Sequence, residues 1–188
     1  MPRKRRIALP GEVHHVISRG LDGATIFADD TDRKRFVSTL GRILSQEQCL
    51  CYAWSLMSNH YHLVLRPTAF NLARVMRRLN GSYARYFNRR HQRRGYLFQD
   101  RYKSLATQDF RYFRELIRYV HLNPIRAGTV KNLSALERYP WCGQAAMVGK
   151  TGEPWHSSSE ALKRFGGSTA SARAAYLAFL REGLLKDE

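Results

Sequence analysis

Two runs of strand-forming residues, 50–57 and 60–65, are separated only by Ser58 and Asn59. So short a connection joins antiparallel neighbours, because a parallel crossover needs a dozen residues or more. The hairpin fixes an antiparallel sheet as the framework of the fold. Residues 12–18 (EVHHVIS) supply a further strand, closed by a turn over residues 19–23 with its two glycines. Helical patterns alternate with these strands. Asp29, Asp30, Thr31 and Asp32 place carboxylates and a hydroxyl at a helix start, and Phe36, Val37, Leu40, Ile43 and Leu44 form an apolar stripe behind them. Leu72, Val75, Met76, Leu79, Tyr83, Tyr86 and Phe87 follow the same period after a capping Asn71. Residues 95–105 resume extended character. Asp109 then caps a third helix through Phe113, Leu116, Ile117 and Val120, expected to end at Asn123-Pro124 because proline disfavours helical geometry in the residue before it. The pattern predicts an α+β fold, one antiparallel sheet with helices packed on one face.

A chain of 188 residues with 44% hydrophobic content can bury the core of one main domain and a small appendage. The first expected unit is residues 1–141. Residues 142–188 read as a small helical C-terminal extension, with Gly/Ser/Thr-rich joints and amphipathic stretches over 158–165 and 168–180. No apolar run approaches the roughly 20 residues of a spanning helix. Met1-Pro2-Arg3-Lys4-Arg5-Arg6 lacks the apolar core of a signal peptide, so a soluble cytoplasmic protein with no membrane partner is expected. Cys49, Cys51 and Cys142 are odd in number and have no framework spacing, which reads as reduced packing residues. A zinc site from Cys49, Cys51, His60 and His62 falls outside the usual ligand spacings.

The charge narrows the partner. Thirty-two Lys and Arg against 15 Asp and Glu leave a formal net charge of +17, which points to a polyanion and above all to nucleic acid. Between residues 66 and 103 eleven basic side chains meet one acidic residue, Asp100. Arg74, Arg78, Arg85 and Arg89 recur at spacings of four and seven, a stripe opposite the apolar one, and Arg93, Arg101 and Lys103 extend it. Arg3, Arg5 and Arg6 form a basic arm that can follow phosphates or a groove, or remain solvated. Tyr83, Tyr86 and Phe87 read as core; Tyr96, Phe98 and Tyr102 alternate and suit either packing or base stacking.

His60 and His62 are two apart on the returning strand and project from one face, where they can share a divalent cation while Tyr61 faces the other way. Tyr119 and Asn123 stand one helical turn apart on the third helix. Each has a plainer reading: exposed strand histidines, a packed tyrosine, a helix-capping asparagine before Pro124. Tyr112 is the alternative nucleophile, with Leu116 rather than Asn at the fourth position after it. His121, two residues from Tyr119, points roughly away from it.

Four strings carry a resemblance: Val16-Ile17-Ser18-Arg19-Gly20, Met57-Ser58-Asn59-His60-Tyr61-His62-Leu63, Leu97-Phe98-Gln99-Asp100-Arg101-Tyr102-Lys103, and Arg118-Tyr119-Val120-His121-Leu122-Asn123-Pro124-Ile125-Arg126-Ala127-Gly128. In this order they resemble the transposase-like HUH single-strand DNA endonucleases, and within them the REP-associated tyrosine transposases, over about residues 7–142. The resemblance implies a ferredoxin-like core, a Mg²⁺ or Mn²⁺ cofactor, and cleavage and rejoining of single-stranded DNA beside a hairpin through a 5′-phosphotyrosine. It implies metal-ligand roles for His60 and His62, the nucleophile role for Tyr119, and a third-ligand role for Asn123. A bacterial, nucleoid-associated monomer or homodimer follows from the same likeness. A non-catalytic nucleic-acid-binding relative of a transposase and a metal-dependent RNA nuclease are the other function classes that fit these residues.

Overall fold

The computed structural model describes residues 11–69, 71–107, 109–150 and 152–185. Strand β1 (Val13–Arg19) leads through a short turn into α1 (Asp30–Gln46), followed by β2 (Cys49–Leu56), β3 (His60–Pro67), α2 (Leu72–Arg90), β4 (Lys103–Thr107) and α3 (Phe110–Arg126). The strands form one sheet in the order β2-β3-β1-β4, each neighbour antiparallel. This is the split βαβ arrangement of a ferredoxin-like core, with β3 inserted between β1 and β2. Local chemistry sets the helix starts: Asp29, Asn71 and Asp109 each accept a backbone N–H of the first turn of α1, α2 and α3.

Helices cover both faces of the sheet rather than one. Tyr61, Leu63 and Leu65 of β3 point into a core shared with Phe36, Leu40 and Ile43 of α1 and Val75, Leu79 and Tyr83 of α2. Val64, with Tyr52 and Ala53 of β2, points the other way against Phe113, Leu116, Ile117 and Val120 of α3. Strands apolar on both sides need cover on both sides, as in the interior strands of layered folds. Cys49 and Cys51 belong to the α1/α2 side. Free and buried, with burial pushing both thiols up, they are separated by the sheet from the histidine face.

Two expected boundaries move. Within residues 95–105 only β4 is strand; the segment before it is pinned to the end of β1, where Leu21 N–H bonds Leu97 O at 3.0 Å and Gln99 N–H bonds Arg19 O at 3.0 Å. Tyr96 is left exposed while Leu97 and Tyr102 are buried. The third helix does not stop at Asn123 but runs through Pro124 to Arg126. A helix-interior proline forfeits one hydrogen bond and crowds the preceding turn, a cost met here by the burial of Val120, Leu122 and Pro124 itself. Gly128, at φ 68°, ends the helix, and Pro124 O accepts the N–H of Thr129 and Val130.

The C-terminal extension packs on this same core. Helices α4 (Leu133–Leu136), α5 (Gln144–Met147), α6 (Ser158–Leu162) and α7 (Thr169–Leu185) follow α3. Ala172, Tyr176 and Leu180 of α7 join the hydrophobic cluster built on α3. Arg118 lies over the Phe179 ring at 4.1 Å, and a Cβ on Gly183 would stand 2.6 Å from Arg118 Cδ, so only glycine permits that approach. The connecting chain also covers the free edge of β2: Leu56 N–H bonds Trp141 O at 2.8 Å, Gly143 N–H bonds Trp54 O at 2.9 Å and Ser157 N–H bonds Cys51 O at 2.8 Å.

Two imidazoles are sealed between the extension and the core. His121 is hydrogen-bonded to the Tyr176 hydroxyl at 2.7 Å and faces away from Tyr119; His156 bonds Tyr52 O at 3.1 Å. Burial lowers both, His156 to about 4. A histidine whose folded pKa is depressed binds fewer protons folded than unfolded below pH 6.5, so its contribution is complete above that value and is lost as pH falls toward the folded pKa. Urea unfolding is therefore expected to show stability falling between pH 6.5 and 4, with His156 alone contributing roughly 3 kcal/mol of the loss. A profile flat over that window would contradict neutral burial.

Candidate active site

The site forms where α3 crosses the sheet. On β3, His60 and His62 project to the α3 side, and the β1 residue His15, opposite Val64, projects beside them. A two-residue step along a strand spans about 7 Å and a four-residue step along a helix about 6 Å, so the pair His60/His62 matches the pair Asn123/Tyr119 in spacing. The matched pairs meet. The Tyr119 ring stands edge-on to His62 at 5.5 Å and to His15 at 5.6 Å between centroids, and the Asn123 side chain hydrogen-bonds the His60 ring. Val120, the next residue, anchors this geometry by its complete burial, while Tyr119 remains 41% exposed. Arg126 lies 5.7 Å from the Tyr119 ring centre. Thus neither the packed tyrosine nor the capping asparagine describes these residues: Asn123 is inside the helix and turned toward His60.

His15 was not singled out by sequence reasoning. Its Nε2 lies 3.0 Å from His62 Nδ1, with the two rings nearly coplanar, 21° apart, and their centroids 5.2 Å apart. Alternation along residues 12–18 puts His15 on the face of Val13 and Ile17, but only the pairing of β1 with β3 shows that this is the face of His62. Burial lowers His15 to about 4; burial, and then the neighbouring imidazoles, lowers His62 to about 3. Burial also lowers His60, against a hydrogen bond that its protonated ring donates to the Asn123 side chain. All three are therefore neutral at pH 7, the state in which imidazole ligates a cation.

Asn59 fixes the orientation of His60. Its Nδ2 donates to Gly23 O at 3.0 Å, which turns its Oδ1 toward His60 Nδ1 at 2.7 Å. His60 must then carry its proton on Nδ1 and present a lone pair at Nε2. Among the described residues no group of three or more His, Cys, Asp or Glu is arranged to hold a metal ion. A set of two imidazoles and one amide uses only two such residues, and His60, His62 and Asn123 have the donor chemistry for it.

The basic surface is divided. Arg74 and Arg78 converge on Glu47, which is fully buried at the end of α1, with Arg74 Nε 2.7 Å from Glu47 Oε2. Burial pushes the Glu47 carboxyl up, and the hydrogen bonds from Arg78 and Arg74 outweigh it, leaving the group below its ordinary value. Arg90 is held by Asp29 and Asp32, and Arg93 lies over Phe87 at 5.7 Å. Arg85, Arg89, Arg101 and Lys103 are exposed. A cleft of about 1000 Å³ lies between α2 and the segment before β4, lined by Arg74, Arg77, Asn80, Tyr96, Gln99 and Arg101 among others. Arg3, Arg5 and Arg6 lie outside the described residues.

Residues 13–123, more than half of the chain, match the family described as IS200-like transposases. Comparison with curated proteins gives no match. Among solved structures, a REP-associated tyrosine transposase bound to a REP hairpin is similar at a TM-score of 0.63 and 14% identity, covering 90% of this chain and 93% of that one. A putative transposase from Deinococcus radiodurans has a TM-score of 0.45 at 19% identity, covering 59% of this chain and 90% of its own. Among the described residues no helix is long and apolar enough to cross a membrane. With its ferredoxin-like sheet, its paired strand histidines and the span of the match, the chain belongs to the IS200-like transposase family.

Proposed function

We propose that the chain is a divalent-cation-dependent single-strand DNA endonuclease and strand transferase that binds hairpin DNA and cuts it through Tyr119. The observation that carries this reading is the convergence of Tyr119 on His62 and Asn123 on His60. His60, His62 and Asn123 would hold a Mg²⁺ or Mn²⁺ ion, whose contribution when bound is to neutralise and polarise the scissile phosphate. Their neutrality leaves the ion's charge undiminished. Tyr119 Oη attacks phosphorus in line, the bond to the 3′-oxygen breaks, and the phenolic proton passes to solvent while the departing oxygen becomes a 3′-hydroxyl. The 5′-phosphotyrosine conserves the energy of the bond, so a 3′-hydroxyl can reverse the step and rejoin strands. Tyr119 meets histidines of its own chain, which favours cleavage within one subunit. Residues 1–141 would carry the chemistry, with 142–188 bracing the back of α3. Acting on DNA, the protein would work at the bacterial nucleoid.

The hairpin in the solved relative supports hairpin DNA as partner, and the cleft beside α2 has the charge and aromatic lining for an unpaired strand. The reading is tested by incubating end-labelled hairpin oligonucleotides with Mg²⁺ or Mn²⁺. Cleavage of DNA that stops on chelation is expected; binding without cleavage would indicate a non-catalytic relative, and cleavage confined to RNA a ribonuclease.

Ion pairing with Glu47 changes the expected division of labour within the arginine stripe. Replacing Arg85 and Arg89 together by Ala is expected to flatten the slope of log K against log salt by about 0.7 per lost phosphate contact, for every oligonucleotide. Arg78→Ala should act mainly by leaving the buried Glu47 short of a partner and lowering stability. Loss of preference for one hairpin sequence, with an unchanged slope in the Arg85/Arg89 variant, would show that these residues read bases.

A further inference from the structure

We infer that His15 is a positioning residue that accepts the Nδ1–H of His62 and so holds His62 in the tautomer whose Nε2 lone pair is free to ligate a cation. The inference rests on the metal-dependent reading above. A neutral imidazole carries one proton, so the 3.0 Å contact between His15 Nε2 and His62 Nδ1 is a hydrogen bond in which one ring donates and the other accepts. If His15 donated, His62 would carry its proton on Nε2 and could not ligate through that atom. If His62 donates, its Nε2 is available, matching the arrangement Asn59 imposes on His60. Both strand histidines then keep the lone pair of the same ring atom, Nε2, free to ligate. The rings meet edge to edge, with planes 21° apart and centroids 5.2 Å apart, as an in-plane hydrogen bond requires, and His15 also meets the Tyr119 ring. His15 is 5% exposed and His62 3% exposed, so water does not compete freely for this bond.

Outer partners of this kind orient a ligating imidazole and raise its basicity, and their loss costs about 10- to 100-fold in metal affinity. His15→Gln keeps an acceptor oxygen at the end of a side chain of similar reach, whereas His15→Phe keeps a ring and removes the acceptor. The test is long-range ¹H–¹⁵N NMR of the metal-free protein, which reads the protonated nitrogen of each histidine, together with Mn²⁺ binding followed by electron paramagnetic resonance. His62 is expected to be protonated at Nδ1 in the wild type and in His15→Gln. His15→Phe is expected to lose that tautomer preference and to bind Mn²⁺ about 10- to 100-fold more weakly, with His15→Gln much closer to wild type. A wild-type His62 protonated at Nε2 overturns the inference, and it does so even if His15→Phe fails to fold. Equal Mn²⁺ affinity in folded His15→Phe also overturns it. Absence of Mn²⁺ binding by the wild type would instead remove the metal-dependent reading, a separate outcome from the tautomer itself.

Discussion

Tyr119→Phe is expected to abolish strand cleavage, by on the order of 10⁴-fold or more, while leaving hairpin affinity and the unfolding midpoint nearly unchanged. The substitution removes one oxygen and keeps the ring, and it is the ring that meets His15 and His62. Because Tyr119 is 41% exposed, no buried polar partner is left behind, and the stability change should stay within about 0.5 kcal/mol. Tyr112→Phe serves as the comparison. Tyr112 lies seven residues earlier on α3, about 10 Å along the helix axis, and is itself 43% exposed. Full activity is expected from Tyr112→Phe; inactivity there with cleavage retained in Tyr119→Phe would transfer the nucleophile role.

His60→Ala is expected to lower Mn²⁺ affinity and cleavage by about 100-fold or more, since an imidazole and an amide alone hold a divalent ion poorly. His60 is the more informative of the two strand histidines to replace. Its ring is only half-buried and its partners are Asn59 and Asn123, whereas His62 is enclosed, so that His62→Ala would also open a cavity. Cleavage that persists in His60→Ala, or in wild type with chelator, would contradict the metal-dependent account.

The parts of this molecule that were legible in the sequence are those governed by local chemistry. Asp29, Asn71 and Asp109 cap the helices whose starts they marked, and Ser58-Asn59 turns the hairpin that places His60 and His62 on one face. What escaped depends on contacts between distant segments. Proline statistics stop α3 at Asn123, but burial of Val120, Leu122 and Pro124 carries it on to Arg126, which keeps Asn123 one turn below Tyr119. The arginine stripe shows no carboxylate in its own stretch because Glu47 arrives from the end of α1. Likewise His15 is one of two adjacent histidines in a strand, and nothing local distinguishes it until β1 is laid beside β3. The docking of the extension is not legible because its apolar positions are scattered among small residues, yet Tyr176, Leu180 and Gly183 fit closely against α3.

The central claim is that Tyr119 becomes covalently joined to DNA. Trypsin separates the two exposed tyrosines of α3, since residues 119–126 follow Arg118 and end at Arg126, whereas Tyr112 falls in residues 112–114. The decisive measurement is mass spectrometry of the tryptic peptides recovered after reaction with a structured single strand and Mg²⁺ or Mn²⁺. A nucleotide linked to Tyr119 in peptide 119–126, absent when the metal is chelated, is the expected result. Cleaved DNA with no peptide adduct, or an adduct on peptide 112–114, would contradict the account.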